Sequence, residues 1–181
     1  MATGKSRKPG IPDIRLRMDP KEGRLRPFPR DFFLLDTTRV ARALIGAWIG
    51  RRYRGAWYGA RIVETEAYLG STDAAAHSFG GRRTRRVEPM YMEGGHLYVF
   101  LVYGMHCCAN VVTRPAGTAE AVLLRAAECP GRAPASLLRG PGKLCSALAI
   151  GLAHSGLDLL DQGAVALFQP EAGDVAVGAS R

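Results

Sequence analysis

The apolar positions of this chain change period several times along its length. Val40, Leu44 and Ala47 recur at spacings of four and three behind Asp36, Thr37 and Thr38, which are good helix N-caps. A short amphipathic helix is predicted there, with the ordered chain beginning near Phe32. Gly46 and Gly50 mark its fraying end and the turn into strand. From Ala47 to Tyr68 the runs WIG, RRYRG and AWYGARIVETEAY read as a hairpin turning near Gly55. Alternation in its second strand puts Glu64 and Glu66 on the face of Ile62. Residues 97–103 are apolar and aromatic, Gly104 permits a tight turn, and residues 106–113 return, which predicts a second hairpin. Tyr98, Phe100 and Val102 share one of its faces, and Leu97, Val99, Leu101 and Tyr103 the other. A buried strand carrying Arg125 follows from Ala119, and a buried arginine needs a carboxylate or phosphate partner. A helix begins near Pro141 with Leu144, Ala147, Leu148 and Gly151 on one side. After Asp158 only AVALF and DVAVG carry strand signals. No internal repeat is found.

Between the hairpins lies LGSTDAAAHSFGGRRTRRVEPMYMEGG, too long and glycine-rich for an ordinary connection. It holds His77 and, directly after Gly80 and Gly81, the cluster Arg82, Arg83, Arg85 and Arg86. Such a run is commonly a solvated face. Here the adjoining glycines allow close backbone approach, and guanidinium groups suit phosphate oxygens. Lys143, at the start of the last helix, is a further candidate phosphate contact. No G-x-x-x-x-G-K-[ST] loop accompanies it, so nucleotide hydrolysis is unsupported.

Composition narrows the partners. Lys and Arg number 25 against 16 Asp and Glu, for a formal net charge of +9, which favours polyanions. Many of the basic residues fall within residues 1–30, which read as a flexible basic arm: either a solvated tail or a salt-sensitive DNA tether. The four cysteines form no C-x-x-C pair and are expected to be reduced and inert. Neither a metal nor a cofactor is expected. No apolar run approaches the ~18 residues of a membrane span, and MATGKSRKPG lacks the core of a secretory signal. The expected location is intracellular, in the cytoplasm or nucleoid of a bacterium or the nucleus of a eukaryote.

Pattern alone leaves the chemistry open. Glu64 and Glu66 could be a solvent-facing stripe, or one of them could be a functional carboxylate delivered at a strand end. Tyr103, at a hairpin tip, is either covered by a loop or reaches something outside. A metal-dependent nuclease using Glu64, Glu66 and His77 is a further reading, although the ligand spacing is poor.

The blocks RIVETEAYLG, AAHSFGG, HLYVFLVYGMHCCANVV, AVLLRA and GPGKLCSALAI, in this order and spacing, closely resemble the alkyladenine (3-methyladenine) DNA glycosylase family from about Asp31 to Arg181. The resemblance implies roles by position. Glu66 matches the general base, and Arg125 the arginine that holds the water with it. Tyr68 and His77 match the pocket for the flipped base, and Phe100 stands where the family often has a tyrosine. Asn110 matches a pocket residue that disfavours guanine. Tyr103 matches the side chain inserted into the duplex. Met105 falls near that wedge, with Met90 a looser match of the same kind.

The implied activity is monofunctional excision of alkylated or deaminated purines from double-stranded DNA, in base excision repair. The enzyme would be a monomer without membrane association. The family continues past DVAVGASR with a glycine-rich segment and an aromatic strand, so residues 31–181 are expected to form a glycosylase domain that is apparently truncated at its C-terminus. A damaged-DNA-binding module without catalysis is therefore the alternative. The expected fold is a single α+β domain: a curved, mainly antiparallel β-sheet with a protruding β-hairpin and short surrounding helices.

Overall fold

A computed structural model describes residues 16–18, 26–130 and 138–169. Seven strands build one sheet: β1 (Leu16–Met18), β2 (Trp48–Tyr53), β3 (Ala56–Tyr68), β4 (Leu97–Val102), β5 (His106–Thr113), β6 (Glu120–Glu128) and β7 (Val165–Phe168). Their order is β4-β5-β6-β3-β2-β7, with β1 pairing β3 off this path. Every strand pair is antiparallel. The helices are short: α1 (Arg30–Phe33), α2 (Thr37–Ala43) and α3 (Pro141–Ala147). The expected α+β class and antiparallel sheet are thus observed. None of these helices is long and apolar enough to cross a membrane.

Local chemistry accounts for the elements. Asp36 caps α2, its carboxylate accepting from the backbone N–H of Thr38 at 3.0 Å and of Arg39 at 3.2 Å. Arg54 and Gly55, both at positive φ, close the β2–β3 hairpin between the paired Tyr53 and Ala56. Ordered chain begins earlier than apolar periodicity suggests. β1 pairs with Trp57–Gly59, Phe28 is buried among Phe32 and Phe33, and Arg30 pairs with Asp158 and donates to the Gly94 carbonyl at 2.6 Å. These contacts depend on distant partners, which local periodicity does not register. The DVAVG segment lies outside the described residues.

One face of the sheet carries the main core, in which Ile62, Leu97, Val99, Val111, Val122 and Leu124 pack with Val40 and Leu44 of the α2 region and Leu144 and Leu148 of the α3 region. The other face carries a smaller cluster, Val87, Met90, Tyr98, Val112, Ala119 and Ala121. The long loop supplies Val87 and Met90. Three 3-10 turns, Gly70–Thr72, Phe79–Gly81 and Glu88–Tyr91, give that loop its regular structure. Buried Thr37 ties α2 to the strands, bonding Thr113 at 2.7 Å and donating to Glu120.

Candidate active site

The site grows from one lateral row of the sheet. Tyr98 on β4 pairs with Asn110 on β5, Asn110 with Leu123 on β6, and Leu123 with Glu66 on β3. All four point away from the main core: Leu97, Val111, Val122 and Leu124 beside the first three belong to it, and beside Glu66 Ala67 packs against it and Thr65 is buried.

Glu66 reaches this face through an irregularity in β3. Ile62 pairs with Ala127 and Thr65 with Leu124, but between them Glu64 pairs with Ala126. Ile62 lies in the main core, and buried Thr65 donates to the Ala41 carbonyl of α2 at 2.9 Å. Two residues three apart therefore face the same side, which uninterrupted alternation forbids. The expectation that Glu64 and Glu66 share Ile62's face is corrected accordingly. They share a face with each other, but it is the one opposite Ile62.

On that face Arg125 links the two carboxylates. Its Nη1 donates to Glu66 Oε2 at 2.6 Å and its Nε to Glu64 Oε1 at 3.0 Å. The arginine is half-exposed rather than buried, with 42% of its side-chain surface accessible, so it can meet a ligand as well as its two acids. Tyr68 stands two residues beyond Glu66. Burial, with the Glu66 carboxylate beside it, pushes the Tyr68 hydroxyl up to about 12, so it stays protonated.

A pocket open at its mouth adjoins these groups and is lined by Tyr68, Ala75, His77, Met90, Tyr98, Phe100 and Asn110. His77 packs edge-on to Phe100 at 4.3 Å between ring centroids, and its Nδ1 lies 2.9 Å from the Tyr98 hydroxyl. Buried Asn110 donates through Nδ2 to the Tyr98 carbonyl at 3.1 Å. Burial lowers the His77 pKa, and the nearby positive charges of Arg86 and Arg82 lower it further, so the ring is neutral at physiological pH. Burial holds the Tyr98 hydroxyl up at about 12.

The structure thus brings Tyr68, His77, Phe100 and Asn110 together beside Glu66 and Arg125. Two lining residues escaped the sequence reading. Tyr98 carries no motif of its own, although alternation already puts it on Phe100's face. Ala75 sits in a loop with no periodicity to reveal it. Met90, matched by sequence to the wedge region, is instead buried at 2% exposure within the pocket wall.

The β4–β5 hairpin ends in a three-residue loop between paired Val102 and His106. Tyr103 at its tip is 89% exposed and Met105 is 72% exposed, so neither is covered by a loop. Tyr103 holds a positive φ of 51°, a conformation unusual for a large side chain.

The four arginines of the loop are all exposed but not equivalent. Arg83 is taken up by Glu88, at 2.6 and 3.0 Å, and lies 4.6 Å over the Tyr91 ring. Arg86 donates to the Leu101 carbonyl at 2.9 Å and sits 5.6 Å over the Phe100 ring, against the pocket. Lys143 is exposed on the first turn of α3. The neighbouring Gly142 lies so close to His106 that a Cβ there would meet it at 3.1 Å, which sets this turn at the root of the hairpin tip. Among the described residues no cluster of His, Cys, Asp or Glu could hold a metal ion. Three of the four cysteines, Cys108, Cys129 and Cys145, are buried.

Comparison with known proteins gives this arrangement a context. Residues 31–180 match the family model for methylpurine-DNA glycosylase. A protein of Bdellovibrio bacteriovorus named "Putative 3-methyladenine DNA glycosylase" is 47% identical over 137 residues, covering 72% of this chain and 71% of the relative. Proteins of the same name from Desulfitobacterium hafniense and Bacillus cereus are 48% and 44% identical, over 72% of this chain and 73% and 72% of theirs. The chain therefore belongs to the methylpurine-DNA glycosylase family, enzymes of DNA repair that hydrolyse N-glycosyl bonds.

Proposed function

We propose that this protein is a monofunctional glycosylase that excises alkylated or deaminated purines, such as 3-methyladenine, 7-methylguanine, hypoxanthine and ethenoadenine, from double-stranded DNA. The observation that carries this reading is the single row joining Glu66 to Asn110 and Tyr98. It sets an ion-paired carboxylate beside an aromatic pocket, within one rigid sheet.

A base inside a duplex hides its glycosidic bond, so the nucleotide is extruded at a cost of about a few kcal/mol. Tyr103, rigid and exposed at the hairpin tip, fills the vacated space, with Met105 beside it. The flipped base enters the pocket between Tyr68, His77 and Phe100. Electron-rich rings favour a cationic alkylpurine over a neutral base by about 0.5–2 kcal/mol each. Asn110, fixed by its bond to the Tyr98 carbonyl, tests the edge of the base against guanine. Arg82, Arg85 and Lys143 contact phosphates. Arg83 and Arg86 hold their present partners through only some of their five N–H donors, so the remaining donors can contribute there as well.

Glu66 then takes a proton from water as the water attacks the anomeric carbon, and its charge stabilises the cationic sugar in the transition state. Arg125 holds the water with it. Among the described residues no lysine lines the pocket or contacts Glu66, which supports hydrolysis over a Schiff-base route. The test is single-turnover release of hypoxanthine and 3-methyladenine from duplex DNA. The parent chain releases base and leaves alkali-labile sites, while Glu66→Gln binds the duplex and releases none. Equal release by both proteins would overturn the proposal.

A further inference from the structure

Glu64 has no part in the chemistry above. It lies two residues before Glu66, and its side chain is 57% exposed on the same face. On a surface that must approach a polyanion, an exposed carboxylate opposes binding. The neighbouring geometry gives it a partner on this face, Arg125.

A guanidinium carries five N–H donors in one rigid plane. A single hydrogen bond leaves that plane free to rotate about the bond, whereas two bonds to two fixed acceptors orient it. Arg125 is held in this second way, through Nη1 to Glu66 and through Nε to Glu64. Arg125 is half-exposed, so little packing would replace the second bond. Both acceptors stand on β3, while the guanidinium comes from β6, at the irregular pairing of Glu64 with Ala126. The irregularity that turns Glu66 into the site turns Glu64 with it, and so places the second hold.

We infer that Glu64 is a positioning residue that orients the Arg125 guanidinium, and through it the Glu66 carboxylate, for attack by water. This inference rests on the proposed role of Glu66 and Arg125. Glu64 touches neither base nor water. It fixes which edge of Arg125 faces Glu66 and which donors remain free for the substrate.

Three variants separate this role from a structural or electrostatic one. Glu64→Ala removes the second acceptor, and single-turnover excision falls roughly tenfold, the scale of a small misplacement in a reacting array. Its affinity for lesion-containing duplex is undiminished and rises at low salt, because a repelling charge has gone. Glu64→Gln keeps an acceptor oxygen without the charge and retains most of the rate, whereas Glu64→Leu behaves like Glu64→Ala. A slower reaction with tighter binding is not the signature of a damaged fold.

A readout independent of activity is the Arg125 Nε–H resonance in the free protein. It is protected from solvent exchange in the parent and in Glu64→Gln, and lost in Glu64→Ala. Persistence of that protection in Glu64→Ala would overturn the inference, as would an unchanged excision rate or equal losses in the Gln and Ala variants. A parent chain that releases no base would count against the proposed function, while the resonance would still decide whether Glu64 orients Arg125.

Discussion

Glu66 and Tyr98 stand at opposite ends of one row that crosses four antiparallel strands through Leu123 and Asn110. With strands roughly 4.8 Å apart, the row separates them by about 14 Å across the sheet. Hydrogen bonds of the sheet fix the distance, so it does not depend on loop placement.

Tyr103 is expected to separate stability from activity. Its positive φ of 51° strains a large L-residue, and glycine relieves that strain while adding freedom to the unfolded chain. These effects oppose one another, so Tyr103→Gly should change stability by less than about 1 kcal/mol. Excision should nevertheless drop by about tenfold or more, because the cost of extruding the base is no longer offset. Thermal melting beside single-turnover excision checks both; parallel losses in the two would point to a structural role instead.

The neutral state of His77 has a pH consequence. Its folded pKa lies below the ordinary histidine value through burial and the charges of Arg86 and Arg82. Where the folded pKa is depressed, the unfolded chain binds more protons in the window between the two values. The stability contributed by His77 is thus full above about 6.5 and is lost as pH falls through the depressed value. Arg86→Gln removes one of the two repelling charges and should raise the His77 pKa. An NMR titration of the His77 ring protons in parent and variant measures this, and no movement would show that Arg86 exerts no field on the pocket.

Asn110 is fully enclosed, and its Nδ2 donates to the Tyr98 carbonyl. Asn110→Ala removes the donor without replacing it, so a cost of about 1–3 kcal/mol is expected in urea unfolding. The same variant should release undamaged guanine faster than the parent does, relative to hypoxanthine. An unchanged ratio would assign Asn110 to packing alone.

Gly94 should be intolerant of any side chain. A Cβ there would lie 2.6 Å from the Phe33 carbonyl oxygen and 3.1 Å from that of Arg114. Both obstacles are backbone, and the Gly94 N–H is itself bonded to Arg114 at 2.9 Å. Gly94→Ala is expected to cost about 3 kcal/mol, seen as a lowered melting temperature. Gly80→Ala meets no neighbour, so it should cost only the strain of its positive φ and remain the milder of the two.

Local pattern was enough for much of this molecule. Alternation along residues 97–113 foretold the β4–β5 hairpin and its tip, because strand period and turn residues act over a few neighbours. The N-cap at Asp36, the turn at Gly55 and the buried side of α3 follow for the same reason. The blocks shared with the glycosylase family singled out Glu66 from Glu64, which periodicity could not do.

The tertiary structure decided what depends on strands distant in sequence. The register irregularity between β3 and β6 turns Glu64 and Glu66 away from Ile62, and it exists only because β6 pairs there. That pairing also delivers Arg125 to both carboxylates. Tyr98 is a pocket wall, and Met90 lines the pocket rather than the wedge, because the long loop folds over the sheet. Sequence alone determined the β2–β3 and β4–β5 hairpins and which family the chain belongs to, since short-range sterics and the order and spacing of the blocks suffice for that. Which side chains face one another across the sheet was left to the pairing of strands, because a slip of one residue reverses every face.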